Sequence, residues 1–166
     1  MKLLIVRHAI AVDRADHQGE EDHRPLTIEG LRKMRKNARG LSIISERPAA
    51  LITSPLTRAV QTAEVLRDTW EGLDFLVSEA LRPKAKPIEL VKWIRANVEE
   101  DGELICIVGH EPHLTHLIGW FLTRDFEAAL ELKKGGACLL DFEGQISRGA
   151  GKLLWLATPS LLRAAR

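Results

Sequence analysis

An arginine and a histidine, Arg7 and His8, directly follow a run of four apolar residues near the start of the chain. Such a run is typical of a strand that is buried on both faces of a parallel sheet. Open α/β sheets bind their ligands at the carboxyl ends of these strands. An imidazole and a guanidinium placed there would suit a nucleophile held beside an anion. The dipeptide is common by chance, so this interpretation depends on what other segments bring to the same edge.

A second apolar segment, residues 49–53, brings another arginine toward this edge. The segment is predicted to be a strand, and the two residues after it are typical of a helix start, with Ser54 as the N-cap and Pro55 as the first helical residue. Arg58 then lies in the first turn of the predicted helix. Taken alone, Arg58 also fits a charge on the surface of a helix.

A third apolar segment, residues 104–108, is followed by Gly109 and His110, and Pro112 is predicted to begin the next helix. The N-termini of two helices at one edge offer unpaired N–H groups and positive dipole ends, which favour a phosphate. Guanidinium groups at the same edge can bind the phosphate oxygens. Alone, His110 also fits a loop histidine with a structural role, but its placement beside the other groups favours a functional one.

Together these side chains fit phosphoryl transfer. A neutral His8, held by a hydrogen bond at one ring nitrogen, can attack phosphorus with the other nitrogen. Two arginines and a second histidine can stabilise the charge on the phosphoryl oxygens without a metal ion. We therefore predict His8, Arg7, Arg58 and His110 as catalytic residues, and the last three also as the substrate-binding residues.

Strands and helices alternate along the chain. Strands are predicted at residues 3–6, 49–53, 73–77, 104–108, 137–142 and 152–157, and helices begin after Thr27, at Ser54-Pro55, at Pro87 and at Pro112. This alternation predicts right-handed βαβ units and a mostly parallel sheet between two helical layers, which is a three-layer α/β/α sandwich. The last two strands flank a glycine-containing turn and are predicted to form an antiparallel pair, so the sheet is mixed.

The size and composition of the chain predict one globular domain spanning residues 1–166. Its net charge of +1 gives no field that would attract nucleic acid or an anionic membrane. No apolar run approaches membrane-spanning length. We therefore expect a cytoplasmic protein without a nucleic-acid or membrane partner. Cys106 and Cys138 lie inside apolar runs and are predicted to be buried core residues.

Four segments of the chain resemble the histidine phosphatase superfamily, also called the phosphoglycerate mutase-like clan. They are residues 4–9, 25–27 with Gly30, 54–63 and 108–112, in the expected order. The short chain and the Pro-Leu-Thr and Gly-His-Glu-Pro variants look most like the SixA branch, the phosphohistidine phosphatases. The resemblance implies a phosphoglycerate mutase-like fold, His8 as a nucleophile that becomes phosphohistidine, and a phosphate pocket formed by Arg7, Arg58 and His110. It also implies that neither a metal ion nor an organic cofactor is needed.

The sequence departs from the family pattern where many relatives carry a carboxylic acid that protonates the leaving group. After the third predicted strand, Arg82 lies near the position expected for that acid. Glu79 matches the position poorly. The other candidate is Asp13, in the polar loop of residues 10–26 that is predicted to form the rim of the site. Ala9 replaces a glycine found in many relatives, which is a small change.

A weak or absent acid favours cleavage of a P–N bond over cleavage of a P–O ester. A leaving alkoxide is a strong base that needs a proton, whereas the conjugate acid of imidazole has a pKa of about 6.5. We therefore predict a phosphohistidine phosphatase whose partner is a phosphoprotein, with a phosphotransfer domain as a candidate and signal transduction as the setting. The alternatives are a metal-independent phosphatase acting on small phosphate monoesters, with Glu79 or Asp13 as the acid, and a phosphate-binding module without turnover.

Overall fold

A six-stranded mixed sheet lies at the centre of the protein, for which a computed structural model describes residues 1–98, 104–125 and 129–165. The strands of the sheet are β1 (Lys2–Arg7), β2 (Ala50–Thr53), β3 (Phe75–Val77), β4 (Leu104–Gly109), β5 (Ala137–Phe142) and β6 (Gly151–Ala157). Their order across the sheet is β3-β2-β4-β1-β5-β6. The first four of these are parallel, and β5 is antiparallel to both of its neighbours. The predicted mixed sheet is confirmed.

Helices cover both faces of this sheet. They are α1 (Ile28–Ile44), α2 (Thr57–Thr69), α3 (Pro87–Asn97), α4 (His113–Thr123) and α5 (Pro159–Ala164). Side chains of α1, α2 and α5 pack in one core together with Leu4 and Val6 of β1. Side chains of α3 and α4 pack in a second core with Leu3 and Ile5. Since successive strand residues point to opposite faces, the apolar run of β1 serves both cores, and the predicted three-layer α/β/α sandwich is confirmed.

The start of α1 is fixed by its cap and by a close backbone approach. The Thr27 hydroxyl oxygen accepts a hydrogen bond from the Gly30 backbone N–H at 2.9 Å, as expected for an N-cap. A Cβ atom added at Gly30 would lie 2.1 Å from the backbone oxygen of Ile10. Only glycine therefore allows α1 to approach the segment that carries the chain away from β1.

The predicted start of α2 is wrong. The helix begins at Thr57, and its N-cap residue is Leu56, which makes no side-chain cap hydrogen bond. Ser54, predicted as the cap, is completely buried, and its hydroxyl lies 2.8 Å from a ring nitrogen of His110. A hydrogen bond to His110, which is distant in sequence, thus takes the place of the capping role that the Ser-Pro pattern indicates.

The C-terminal helix α5 is not predicted from the sequence. It has only six residues, too few for a helical periodicity to be visible. The Thr158 hydroxyl oxygen caps it by accepting from the Leu161 N–H at 3.4 Å. A Cβ atom at Gly40 of α1 would lie 1.8 Å from the Leu162 backbone oxygen, so α5 packs directly against α1.

The two cysteines lie in the interior of the fold. Cys106 and Cys138 are both buried and unbonded, as predicted. Burial raises the pKa of both thiols, that of Cys138 to about 12, so they are neutral core residues.

Within the part of the chain that the structure describes, no helix has the length and apolar character needed to cross a membrane.

Candidate active site

Two histidines meet at the carboxyl ends of the adjacent parallel strands β1 and β4. The register of these strands pairs Arg7 with Gly109, so His8 and His110, the next residues along, emerge side by side. The backbone N–H of His8 donates to the Gly109 carbonyl at 3.0 Å. The centroids of the two imidazole rings lie 5.0 Å apart, with the ring planes inclined at 50°. Strand pairing therefore brings together residues that are far apart in sequence.

The hydrogen bond made by His8 fixes which of its ring nitrogens carries the proton. The Nδ1 atom lies 2.7 Å from the backbone carbonyl oxygen of Ala9. Since a carbonyl only accepts, Nδ1 carries the proton, and Nε2 keeps a lone pair. Burial lowers the pKa of His8 to about 3 against the opposing effect of that hydrogen bond, and the charges of Arg58, Arg7 and Lys134 lower it further. At neutral pH His8 is therefore a neutral imidazole with an unprotonated Nε2.

His110 is held by a side chain from a third strand end. Its Nε2 atom lies 2.8 Å from the hydroxyl oxygen of Ser54, which follows β2. Burial, reinforced by the His8 imidazole and by the positive charge of Arg58, lowers the pKa of His110 to about 2. The Nδ1 atom of His110 is buried and has no hydrogen-bond partner among the described residues. When the serine hydroxyl donates to Nε2, this Nδ1 carries the proton and is a free donor.

Two guanidinium groups, one partly buried and one buried, flank the histidines. Arg7, at the end of β1, donates from Nη1 to the Leu132 carbonyl at 2.8 Å, and Arg58, in the first turn of α2, is only 3% exposed. Burial lowers the pKa of both groups, although a guanidinium keeps its charge in proteins. The Nε atom of each arginine is buried without a partner among the described residues. Like Nδ1 of His110, each is an unpaired N–H donor of the kind that binds the oxygens of an oxyanion.

A hydroxyl of α2 ties the two halves of the site together. The Thr62 hydroxyl donates to the Arg58 backbone carbonyl at 2.7 Å and accepts from the Ala9 N–H at 3.1 Å. On the other side, the Gly135 N–H lies 3.1 Å from the carbonyl oxygens of both Arg7 and His8. These contacts fix the backbone on either side of His8. Sequence reasoning missed Thr62, although it follows Arg58 by one helical turn.

Sequence reasoning also missed an acidic and a basic residue of the loop between β1 and α1. Arg24 is 8% exposed, and its Nη2 and Nε atoms donate to Oε1 and Oε2 of Glu21 at 2.8 and 3.0 Å. Oε1 of Glu21 also lies 3.3 Å from Nη2 of Arg58. Hydrogen bonding from Arg24 is the main reason that the pKa of Glu21 falls to about 2. The sequence feature that could have pointed to Arg24 is its position directly before the Pro-Leu-Thr segment, residues 25–27.

The two carboxylates named as candidates for a general acid, Glu79 and Asp13, are not part of this arrangement. Glu79 is largely exposed and forms an ion pair with Arg82, which also contacts Asp22 at 2.6 Å. Asp13 is exposed, and its backbone carbonyl accepts from the N–H groups that follow in a turn. Among the contacts of the described residues, neither carboxylate reaches His8 or His110. Both carboxylates therefore lie outside the site that the described contacts of His8 and His110 define.

The described residues contain no group of three or more histidine, cysteine, aspartate or glutamate side chains placed to hold a metal ion. Of the other histidines, His113 is buried at the start of α4, and both of its ring nitrogens lack a partner among the described residues. Burial lowers the pKa of His113 to about 4, so it is a neutral ring next to the site.

A family model and a sequence relative match the chain. Residues 3–83 match the model of the histidine phosphatase superfamily, branch 1. An uncharacterized protein of Picosynechococcus sp. is 34% identical over 137 residues, which cover 82% of each chain.

Solved structures of phosphatases share the fold. The structure of the protein histidine phosphatase SixA complexed with tungstate has a TM-score of 0.82 at 22% identity and covers 96% of this chain and 98% of its own. The alpha-ribazole phosphatase from Shigella flexneri has a TM-score of 0.72 at 18% identity, with 96% and 97% covered. The two proteins act on different substrates by their names, so the shared fold does not by itself select one.

Proposed function

The chain belongs to the histidine phosphatase superfamily and is a phosphatase of that type, and from this premise we propose that it hydrolyses the P–N bond of phosphohistidine on a partner protein. The observation that carries the proposal is the state of His8. Its proton is held on Nδ1 by the Ala9 carbonyl at 2.7 Å, which leaves Nε2 as a free nucleophile beside the buried Arg58 and the partly buried Arg7. In a binding module without turnover, this arrangement of the imidazole would have no purpose.

The proposed reaction has two steps. In the first, the Nε2 lone pair of His8 attacks phosphorus, and the bond from phosphorus to the substrate imidazole, which is protonated at its other ring nitrogen, breaks. The electron pair of that bond stays on the leaving nitrogen, and a neutral imidazole departs. In the second, water attacks the phosphoryl group on His8, the Nε2–P bond breaks, and inorganic phosphate leaves. Donors on Arg7, Arg58 and His110 stabilise the charge on the phosphoryl oxygens in both steps.

The protonation state of Glu21 and the positions of Glu79 and Asp13 support a leaving group that departs without a strong acid. Glu21, which contacts Arg58, has a pKa of about 2 and therefore has no proton to give at neutral pH. Glu79 and Asp13 make no contact with the histidines, as described above. An imidazole leaving group has a conjugate acid with a pKa of about 6.5, so its departure does not depend on a positioned acid.

The substrate class is also supported by the likeness to the protein histidine phosphatase. We infer a phosphoprotein partner, with a phosphotransfer domain as one candidate and signal transduction as the setting. The likeness to the alpha-ribazole phosphatase favours a second candidate, hydrolysis of small phosphate monoesters by the same nucleophile. The two candidates differ in the leaving group and therefore in the need for an acid.

Trapping of the covalent intermediate tests the proposed chemistry. The protein is mixed with a phosphohistidine peptide and quenched in alkali, where a phosphoramidate bond survives, and its intact mass is then measured. We expect one added phosphoryl group on the wild-type protein, located at His8, and none on the His8→Ala variant. Phosphate release by the wild-type protein with no phosphoryl group on His8 would contradict the two-step mechanism.

A further inference from the structure

The carboxylate of Glu21 lies between two buried guanidinium groups. Arg24 holds both of its oxygens, at 2.8 and 3.0 Å, and also donates to the Val12 carbonyl at 2.6 Å. Arg58 lies 3.3 Å from Oε1 of the same carboxylate through Nη2, and its Nη1 donates to the Glu21 backbone carbonyl at 3.0 Å. The exposed Arg14 approaches Oε1 at 3.4 Å. Glu21 is thus the residue that joins Arg58 of the phosphate pocket to the loop between β1 and α1.

The distances show which arginine holds Glu21 more firmly. The two contacts from Arg24 have the lengths and the paired geometry of a bidentate guanidinium–carboxylate bond, whereas the contact from Arg58 is single and longer. Loss of the Arg58 contact would leave the carboxylate anchored to Arg24. The Nη2 atom of Arg58 can therefore change partner while Arg24 continues to hold the Glu21 carboxylate.

Charge repulsion between Arg24 and Arg58 explains why Arg58 needs an anionic partner when no phosphoryl group is bound. Arg24 and Arg58 are almost completely buried, and the positive charge of Arg24 acts to lower the pKa of Arg58, while Glu21 acts to raise it. Without an anion between them, two like charges would face each other out of water. A bound phosphoryl group would supply negative charge to Arg58 in place of Glu21, but it would then lie next to the Glu21 carboxylate and be repelled by it.

We propose that Glu21 is a positioning residue that serves as an internal counter-anion, holding Arg58 in the empty pocket and competing with a bound phosphoryl group so that inorganic phosphate is released readily. This inference rests on the proposed function, because it takes the pocket of Arg7, Arg58 and His110 to bind a phosphoryl group. The carboxylate side chain is 42% exposed, so water screens part of the repulsion. The expected effect of its charge on phosphate affinity is therefore about tenfold.

Binding of inorganic phosphate, measured by calorimetry, tests the proposal with three variants. Glu21→Gln keeps the shape of the side chain and removes its charge, so we expect phosphate to bind about tenfold more tightly. Glu21→Asp keeps the charge and should restore an affinity close to that of the wild-type protein. Glu29→Gln removes a carboxylate that pairs with Lys33 on the exposed side of α1, so it controls for net charge and should change the affinity by less than about twofold.

The dependence of the unfolding temperature on phosphate provides a second readout, which a merely structural role of Glu21 would not produce. Without phosphate, Glu21→Gln should unfold at a lower temperature than the wild-type protein, because Arg24 and Arg58 lose their shared partner. Saturating phosphate should reduce this difference, since the ligand supplies the missing charge. The dependence of the midpoint on phosphate concentration gives the affinity even when the variant is poorly folded in its absence.

Equal or weaker phosphate binding by Glu21→Gln would overturn the proposal, and so would an equal gain in affinity for Glu29→Gln. Absence of phosphate binding by the wild-type protein would instead contradict the phosphate pocket and the proposed function itself. In steady-state assays, the phosphate inhibition constant of Glu21→Gln should fall by the same factor as the dissociation constant. An unchanged inhibition constant would likewise overturn the proposal.

Discussion

The hydroxyl oxygen of Ser54 lies 2.8 Å from Nε2 of His110, and this contact joins the carboxyl end of β2 to that of β4. The two strands are neighbours, with Thr53 opposite Val108, and the Ser54 N–H donates to the Val108 carbonyl at 3.0 Å. The same hydroxyl accepts from the Leu56 N–H at 3.4 Å. Ser54 is therefore placed to donate its hydrogen to His110 and to set the orientation of the ring.

The first prediction concerns this contact. Ser54→Ala should lower kcat/KM by about tenfold, because Nε2 of the buried His110 loses its partner and the ring loses its orientation. The assay is hydrolysis of a phosphohistidine peptide, with thermal unfolding to verify the fold. Ser42→Ala, on the exposed side of α1, is the matched control and should leave the rate unchanged. A folded Ser54→Ala protein with the wild-type kcat/KM would show that the hydroxyl does not position His110.

The second prediction separates the shape of a guanidinium from its charge. Arg58→Lys keeps a positive charge but loses the planar pair of donors, so kcat/KM should fall by about a hundredfold, or about 2.7 kcal/mol of transition-state stabilisation. Arg67→Lys, in the same helix but paired with Asp68 at the surface, should remain within about twofold of the wild-type rate. Equal rates for the two variants would contradict a phosphoryl-binding role for Arg58.

The third prediction is a loss of stability in acid. Burial lowers the pKa values of His8, His110 and His113 to about 3, 2 and 4, below the value of about 6.5 for an exposed imidazole. Between these values the unfolded chain binds more protons than the folded one, so stability is greatest above about pH 6.5 and decreases as the pH falls. Each histidine contributes at most about 1.4 kcal/mol per pH unit to this slope.

Urea unfolding at about pH 7 and about pH 5 measures this slope. His113→Leu should reduce the slope by about a third, because it removes one of the three groups. Its ring nitrogens have no partner among the described residues, so the replacement leaves no hydrogen bond broken. Identical slopes for the wild-type protein and the variant would show that His113 is not a neutral buried group.

The fourth prediction concerns the carboxylates that the sequence offers as general acids. Glu79→Gln and Asp13→Asn should each keep kcat/KM for a phosphohistidine peptide within about twofold of the wild-type value, because neither side chain contacts the histidines and the leaving imidazole needs no strong acid. Steady-state rates for the two variants provide the check. A tenfold loss in either variant would identify an acid and contradict the account of the leaving group.

The elements and the residues that carry the proposed chemistry could be predicted because their signals are local. The apolar run of β1, the N-cap Thr27 and the proline at the start of α3 each act on residues a few positions away. Strand ends of a parallel sheet meet at one edge, so the sequence places His8 and His110 close together, and their rings lie 5.0 Å apart.

Contacts between distant segments could not be predicted in the same way. The Ser-Pro pair is a strong local signal for a helix start, but a hydrogen bond to His110, 56 residues away, assigns Ser54 a different role. The contact between Glu21 and Arg58 depends on how the loop before α1 folds over α2, and a polar loop has no periodicity that would reveal it. The short helix α5 has a local start signal, the N-cap Thr158 followed by Pro159, but its six residues are too few for a periodicity, and it packs against Gly40 of α1, which is distant in sequence.

The most direct test of the central claim compares phosphate release from a phosphohistidine peptide and from a matched phosphoserine peptide, with EDTA present and with His8→Ala as the blank. We expect turnover of the phosphohistidine peptide that depends on His8, is unaffected by EDTA and exceeds that of the phosphoserine peptide by at least about a hundredfold, since only the alkoxide needs a proton donor. Turnover of the phosphoserine peptide at an equal or higher rate would contradict the assignment of a P–N substrate and would identify the protein as a phosphatase of phosphate esters.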